Sequence, residues 1–218
     1  MHAQTWPAIG STQAAALAED WWIFTYAAIL VAVFVWGLIL YAAVRFRRTA
    51  RNPEPRSQKD ANPPLEIAWT VAPLLIVIAL FVRTAHIETE VEAQAKVHQV
   101  EIAVDGYRWG WTFAYRGGPT VRGTAEHPPE MVLPLGEVAS IRVSSSDVVH
   151  SFWIPDMLFK RDAIPGQVSA FDLTPTKEGT FLGRCGEFCG LDHALMSFRV
   201  RVVAPVAYER WRKGEATR

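Results

Sequence analysis

Between Trp21 and Val44 the chain reads WWIFTYAAILVAVFVWGLILYAAV, 24 residues without a charge. As a helix rising ~1.5 Å per residue, that run is long enough to cross a bilayer core of roughly 30 Å. A helix buried in a soluble protein is rarely apolar on every face for such a length, so the stretch commits the chain to a membrane. Trp21, Trp22 and Tyr26 at one end and Tyr41 at the other stand where interfacial aromatics belong. A second run, Ile67 to Val82, is shorter and holds Pro73; extended to Leu65 and Thr84 it reaches 20 residues. Proline is tolerated in a membrane helix when neighbours satisfy the freed carbonyl. The expectation is a transmembrane hairpin within residues 21–86, its helices at about 21–44 and 65–84.

The connecting loop, residues 45–62, sets the orientation. Arg45, Arg47, Arg48, Arg51, Arg56 and Lys59 stand there against Glu54 and Asp60, a net charge of +4. Positive loops stay in the cytoplasm, which puts residues 1–20 and everything beyond 86 outside. The loop is read as a topology signal facing lipid headgroups, and no nucleic-acid partner is expected. Residues 1–20 carry Glu19 and Asp20 but no Lys or Arg, so they lack the basic start of a secretory signal. A chain that is 50% hydrophobic with 22 basic and 22 acidic residues is too apolar for an ordinary soluble domain, and the two runs account for the excess.

Beyond a polar, acidic connector at 86–96 the pattern changes. Val100, Ile102 and Val104 alternate with Glu101 and Ala103, the period of a strand. Further strands are expected at 109–115, 131–133, 139–143, 151–154, 169–173, 180–183 and 196–203, separated by turn formers such as Gly117, Gly118, Pro134, Gly136, Pro165, Gly166 and Gly179. Seven or eight short strands at this spacing indicate a sandwich or Greek-key barrel over 87–203, with a short helix and tail in 204–218. Residues 87–218 hold 15 basic and 17 acidic side chains, so whole-domain charge supplies no strong steering.

The chemistry concentrates in GRCGEFCGLDHALM, residues 183–196, which contains the only two cysteines, Cys185 and Cys189, then His193 and Met196. His150 lies upstream in SSSDVVHSFWIP, on a short apolar strand able to carry one imidazole back against the loop. Thiolates and a thioether form a soft donor set that favours copper over hard cations. Zinc accepts two Cys and two His but has no use for Met196. A disulfide between the cysteines is the other reading. Gly183, Gly186 and Gly190 suggest a tight loop whose backbone approaches a bound centre closely. No CxxCH motif is present, so no haem is expected on this chain.

The run CGEFCGLDHALM, with His150 in DVVHSF, resembles the binuclear copper A site of cytochrome c oxidase subunit II, a family whose pattern is a His in DVxHS followed by CxExCGxxHxxM. In weaker form the resemblance extends from about residue 20 to residue 203. It implies that Cys185 and Cys189 bridge two copper ions, that His150 and His193 bind one each, and that Met196 is a weak sulfur ligand. Glu187 is implied to ligate through its backbone carbonyl while its side chain reaches a magnesium ion shared with subunit I. Phe188, Leu191, Leu195 and Phe198 are expected to exclude water around the centre.

The resemblance narrows the fold to a membrane-anchored all-β architecture, a two-helix hairpin followed by a cupredoxin-like Greek-key barrel. It implies a bacterial-type plasma membrane setting. The implied function is to accept electrons from cytochrome c and pass them to haem in subunit I, where oxygen is reduced to water and protons are pumped; subunit III is a further expected partner. Within GYRWGWTFAY, Trp109 matches the family's electron-entry tryptophan, with barrel packing as the alternative and as the preferred role for Trp111. Asp147 matches an acidic position implicated in docking cytochrome c. Glu66 matches a glutamate at the mouth of a proton path, with an interfacial anchor as the alternative. The segment PDMLFKRDAIPG departs from the commoner wording, and Phe152 stands where many members have Trp, which bears on the donor-docking surface. The rival functions are an oxidase subunit fed by another donor and a membrane-tethered copper chaperone; a quinol-oxidising relative is disfavoured because such proteins lack the copper ligands.

Overall fold

The computed structural model describes residues 9–47 and 61–215. Most of the basic loop that argues the orientation, residues 48–60, and the tail 216–218 lie outside the described residues. The chain divides into a helical unit, Glu19–Glu88, and a second unit that joins the residues up to Ala18 to those from Thr89 onward.

The helical unit is built on α1 (Thr12–Arg45) and α2 (Pro63–Glu92), which carry apolar windows of mean hydropathy 2.6 and 2.4 with no share buried. Both helices run past the apolar stretches. Helix α1 begins at Thr12 because Ser11 caps it, its Oγ accepting from the Ala14 N–H at 3.0 Å, and the following AAALAE is made of strong helix formers. Helix α2 starts behind Asn62, whose N–H donates to Glu66 Oε1 at 2.9 Å, and Pro63 occupies the first turn, where its missing N–H costs nothing. It continues through the acidic segment to Glu92, so most of the expected connector is helix. Arg83 on α2 meets Glu19 and Asp20 on α1, each at 2.9 Å, and pairs the charges that flank the apolar stretches.

Among the described residues the second unit is a sandwich of ten strands: β1 (Val100–Tyr107), β2 (Gly110–Tyr115), β3 (Thr120–Thr124), β4 (Glu130–Pro134), β5 (Ala139–Ser145), β6 (His150–Ile154), β7 (Phe159–Ala163), β8 (Ser169–Leu173), β9 (Gly179–Cys185) and β10 (Ser197–Val203), followed by α3 (Pro205–Arg212). One sheet runs β3-β2-β1-β5-β8 and the other β4-β10-β9-β6-β7. Pairing is antiparallel except β1 with β5 and β4 with β10, the crossovers that make the barrel-like topology. Alternation dictates the facing: in β1, Val100, Ile102 and Val104 are buried while Glu101 and Ala103 are not. The two sheets meet in a core of aromatic rings, Trp111 and Phe113 from one and Phe152 and Phe198 from the other, all fully buried. Phe152 stacks on Phe198 at 4.7 Å, and the neighbouring rings approach edge-on, the arrangement that ring quadrupoles favour. Phe152 thus fills a core position in which its ring is complementary to Phe198.

Strands β3 and β7 were not among the expected ones. TVRGT has one buried residue, Gly123, and becomes a strand by closing the free edge of β2. FKRDA has apolar residues only at its ends and is held by pairing with β6.

Candidate metal centre

Two sheet neighbours deliver the first ligands. His150 opens β6 and Cys185 closes β9; these strands pair through Phe152↔Cys185 and Trp153↔Arg184, so imidazole and thiol converge at one end of the sandwich. The Gly186 N–H donates to the Ser151 carbonyl at 2.9 Å, and the Cys185 N–H to the Met196 carbonyl at 2.9 Å, which ties both ends of the loop to the sheet. A short 3-10 turn, His193–Leu195, then turns His193 back toward Cys189.

Two glycines make this geometry possible. Gly183 lies opposite Phe198, and a Cβ there would stand 2.1 Å from the ring, so only glycine fits beneath it. Gly190 has φ +117° and a Cβ there would meet the Trp109 ring at 3.1 Å, so both its backbone conformation and its neighbour call for glycine.

The donor atoms form a string. His150 Nδ1 lies 3.8 Å from Cys185 Sγ, Cys185 Sγ lies 3.9 Å from Cys189 Sγ, and Cys189 Sγ lies 3.6 Å from His193 Nδ1. Met196 Sδ is 3.7 Å from Cys189 Sγ, and the Glu187 carbonyl is 3.2 Å from Cys185 Sγ. Donors bound at ~2.0–2.3 Å to one tetrahedral ion stand roughly 3.3–3.8 Å apart, so neighbours along the string match ligands that share a metal. The cysteines are free thiols, which removes the disulfide reading. His150, Cys185 and Cys189 have ligand atoms within 4.8 Å of one another, a group that His193 does not join. A single zinc ion would need both imidazoles around one point; one imidazole beside each of two central sulfurs suits two metals.

The electrostatics also call for a cation. Burial pushes the Cys185 thiol up, but hydrogen bonding to His150 and to the backbone of Ser151 and Glu187 outweighs it and brings the thiol down to about 6. Burial, then the negative charge on Cys185, push Cys189 up to about 12. One thiol therefore ionises readily, and the second only when positive charge lies beside both sulfurs. Burial lowers His150, but Cys185 and Asp147 together hold it above its ordinary range.

Asp147 is where the structure adds most to the sequence reading. Its Oδ1 meets His150 Nε2 at 2.9 Å, which leaves Nδ1 to face Cys185. Its other oxygen accepts from the Arg108 N–H at 2.8 Å and from Arg108 Nε at 3.3 Å. Burial alone would raise this carboxyl, yet the hydrogen bonds from His150, Val148 and Arg108 hold it at about 2. A carboxylate so engaged orients a ligand ring. Arg108 was not anticipated; nothing in its sequence position signals that it closes on a residue 39 positions away.

Trp109 is half-buried, and its Nε1–H donates to the Cys189 carbonyl at 3.2 Å, whereas Trp111 is fully buried in the core. The expected water-excluding shell is only partly there. Phe198 is buried, but Phe188, Leu191 and Leu195 are 77%, 89% and 59% exposed. They rim the loop instead of sealing it. Water is excluded from below, by the aromatic core, with Cys185, Cys189 and Met196 themselves at 5%, 4% and 1% exposure. Glu187 projects its half-exposed carboxylate toward Lys160, 3.9 Å away. Glu66 spends one carboxylate oxygen on the cap of α2.

Comparison with known proteins places these features in a family. Residues 121–203 match the family model described as cytochrome c oxidase subunit II, periplasmic domain, and residues 11–86 match the model of its transmembrane domain. A probable cytochrome c oxidase subunit 2 of Streptomyces coelicolor is 36% identical over 84% of this chain and 70% of its own length. Cytochrome c oxidase subunit 2 of Mycobacterium tuberculosis is 32% identical over 92% of this chain and 71% of its own. Among solved structures, the periplasmic domain of subunit II of cytochrome oxidase from Bradyrhizobium japonicum is similar at 30% identity and a TM-score of 0.51, over 56% of this chain and 96% of that one.

Proposed function

Since the chain belongs to the subunit II family of cytochrome c oxidase, a membrane-anchored component of a terminal oxidase with its C-terminal domain outside the cytoplasm, we propose that it is the electron-input subunit of that complex and holds a binuclear copper A centre. The observation that supports this is the ordered string His150, Cys185, Cys189, His193, with Met196 and the Glu187 carbonyl alongside. When bound, the two-copper thiolate centre supplies one-electron transfer in which the change of charge is shared over two metals and two sulfurs. The chain's own residues prepare that chemistry. Cys185 and Cys189 would hold the centre, His150 and His193 would each take one metal, and Met196 and the Glu187 carbonyl would complete the set. Asp147 and Arg108 lock the His150 ring, and the glycines keep the backbone close, so the site is shaped before metal arrives.

Trp109 is the point of electron entry, a ring that shortens the path from the donor, cytochrome c in this reading, and its hydrogen bond to the Cys189 carbonyl links it to a ligand residue directly. Subunit I, with haem and the site of oxygen reduction and proton pumping, takes the electron onward, with subunit III beside it. The Glu187 carboxylate, half-exposed at the loop, would supply a ligand to a magnesium ion at the subunit I boundary. Glu66 is proposed as a helix cap first and as a proton-path group second. A copper chaperone is disfavoured because both thiols are nearly inaccessible, while exchange between proteins needs an open thiolate.

The deciding experiment is metal analysis of the purified complex with and without Cys185→Ser. Two copper ions per chain in the parent beyond those of subunit I, both lost in the variant together with reduction by cytochrome c, is the expected result. A variant that keeps a two-copper resonance signal would refute the assignment. In the same material, Glu187→Gln should lower manganese occupancy at the magnesium position and leave the copper signal in place.

A further inference from the structure

Val100, Ile102, Val104 and Gly106 are the inward positions of β1, and the last of them carries no side chain. Glycine weakens the interior of a strand, and where it stands there it often marks a close approach of something else. Gly106 is not among the glycines on left-handed backbone, so its φ does not call for glycine. Space does. A Cβ on Gly106 would stand 3.1 Å from Trp111 Cζ3, 3.2 Å from His150 Cδ2 and 3.3 Å from His150 Cβ. The missing side chain is a slot, and the edge of the His150 imidazole fills it.

Strand pairing assembles the slot from three places in the chain. Gly106 pairs with Trp111 on β2 and with Ser145 on β5, and its carbonyl accepts from the Ser146 N–H at 3.0 Å, where the chain leaves β5 on its way to His150. Trp111 walls the slot: its ring lies 6.1 Å from the His150 ring between centroids, inclined by 62°, and both residues are fully buried. The Trp111 indole N–H has no acceptor among the described residues, so hydrogen bonding does not account for an indole at this position. Reach does, because the atom that borders the slot is Cζ3, on the outer ring of the indole. With Asp147 on Nε2 at 2.9 Å and Cys185 Sγ facing Nδ1 at 3.8 Å, the imidazole is held at three of its ring atoms.

We propose that Gly106 and Trp111 are positioning residues for His150: the slot they form sets the tilt at which the imidazole presents Nδ1 to the cysteine sulfurs, and with it how evenly the two metals of the centre share charge. The inference rests on the electron-input reading above and adds the residues that tune the centre from beneath. Asp147 fixes where Nε2 points, but a single hydrogen bond leaves the ring free to swing about it. The slot removes that swing, because it grips the neighbouring ring carbon. A methyl on residue 106 would push His150 and Trp111 by a few tenths of an ångström, a displacement that disturbs the ligand without emptying the site.

The test compares intact oxidase complexes carrying Gly106→Ala, Trp111→Phe, and the two together. Phe113→Leu is the control, since Phe113 is as deeply buried in the same aromatic cluster but packs on Phe152 and Phe198. Copper content, the electron resonance pattern of the two-copper centre and its redox equilibrium with a soluble c-type cytochrome are read on each. Gly106→Ala should keep its copper, while the hyperfine pattern departs from that of the parent and the equilibrium constant changes at least about threefold. Adding Trp111→Phe should move both readouts back toward the parent, because the shorter ring withdraws from the slot. Phe113→Leu should lower the melting temperature and leave the pattern as it is. A parental pattern and equilibrium in an assembled Gly106→Ala complex overturns the proposal, and so does a change in Phe113→Leu as large as the one in Gly106→Ala, which would reduce the slot to general core packing. Where Gly106→Ala does not assemble, Trp111→Phe decides: an altered pattern is expected, and a parental one overturns the proposal. The underlying reading fails separately, since a parental complex without copper on this subunit refutes the electron-input function before any variant is compared.

Discussion

Replacing Gly183 by alanine should damage the sandwich and the metal loop together. The added methyl would stand 2.1, 2.2 and 2.5 Å from three carbons of the Phe198 ring, all well inside the 3.4 Å at which ordinary contact begins. The ring has nowhere to go: it stacks on Phe152 at 4.7 Å and meets Trp111 and Phe113 at 5.5 Å, and all four rings are fully buried. Overpacking in a filled core costs 1–3 kcal/mol, and a clash this deep against rigid rings belongs at the upper end, about 3 kcal/mol. For a domain of this size that lowers the melting temperature by about 10 °C. Because Gly183 pairs with Phe198, and Cys185 bonds Met196 two positions along each strand, the displaced strand also shifts two ligands. The assay is thermal unfolding of the copper-loaded full chain in detergent, followed by tryptophan fluorescence, with copper content measured alongside. Gly183→Ala should melt early and hold copper poorly, and Gly183→Ala with Phe198→Leu should recover at least about 1 kcal/mol relative to the sum of the two single changes. A Gly183→Ala protein within about 0.5 kcal/mol of the parent, with strictly additive behaviour in the pair, would refute the reasoning.

Trp109→Ala should slow electron uptake from the donor by orders of magnitude at every ionic strength while copper stays bound, as stopped-flow reduction across a salt series will show; parental rates would reduce the ring to packing. Asp147→Asn should weaken copper retention about 10- to 100-fold in a chelator competition, because the amide cannot hold the His150 ring with a charge; Arg108→Ala should do the same to a smaller degree. Tyr208 is buried, and burial first pushes its phenol up to about 12, above the ~10 of the unfolded chain. A raised value means the contribution is whole below pH ~10 and lost as pH climbs to about 12, so Tyr208→Phe should flatten alkaline unfolding in that window and change little at neutral pH.

The features that could be read in the chain are those that depend on neighbours in sequence. The charge-free runs, the alternation in β1 and the spacing of Cys185, Cys189, His193 and Met196 are local patterns, and the structure bears out the two helices and the β-sandwich; it also brings these donor atoms near one another. What escaped depends on distant partners. Strand β3 has no apolar alternation and exists because β2 has an open edge to fill. Asp147 reads as a surface acid until Arg108 and His150 are seen to claim both its oxygens. Phe188, Leu191 and Leu195 look like water-excluding residues by composition, yet an irregular loop has no periodicity from which to tell an inward side chain from an outward one.

The bond from Trp109 to the Cys189 carbonyl restricts how such a protein can vary. One half-buried indole braces the loop that carries the candidate ligands, and a side chain at Gly190 would meet that indole at 3.1 Å on a backbone with positive φ. A change at residue 109 therefore removes one brace from the loop along with the ring itself. The freest positions on this loop are those whose side chains are exposed, Leu191 at 89% first among them, where a substitution leaves the buried sulfurs of Cys185, Cys189 and Met196 covered.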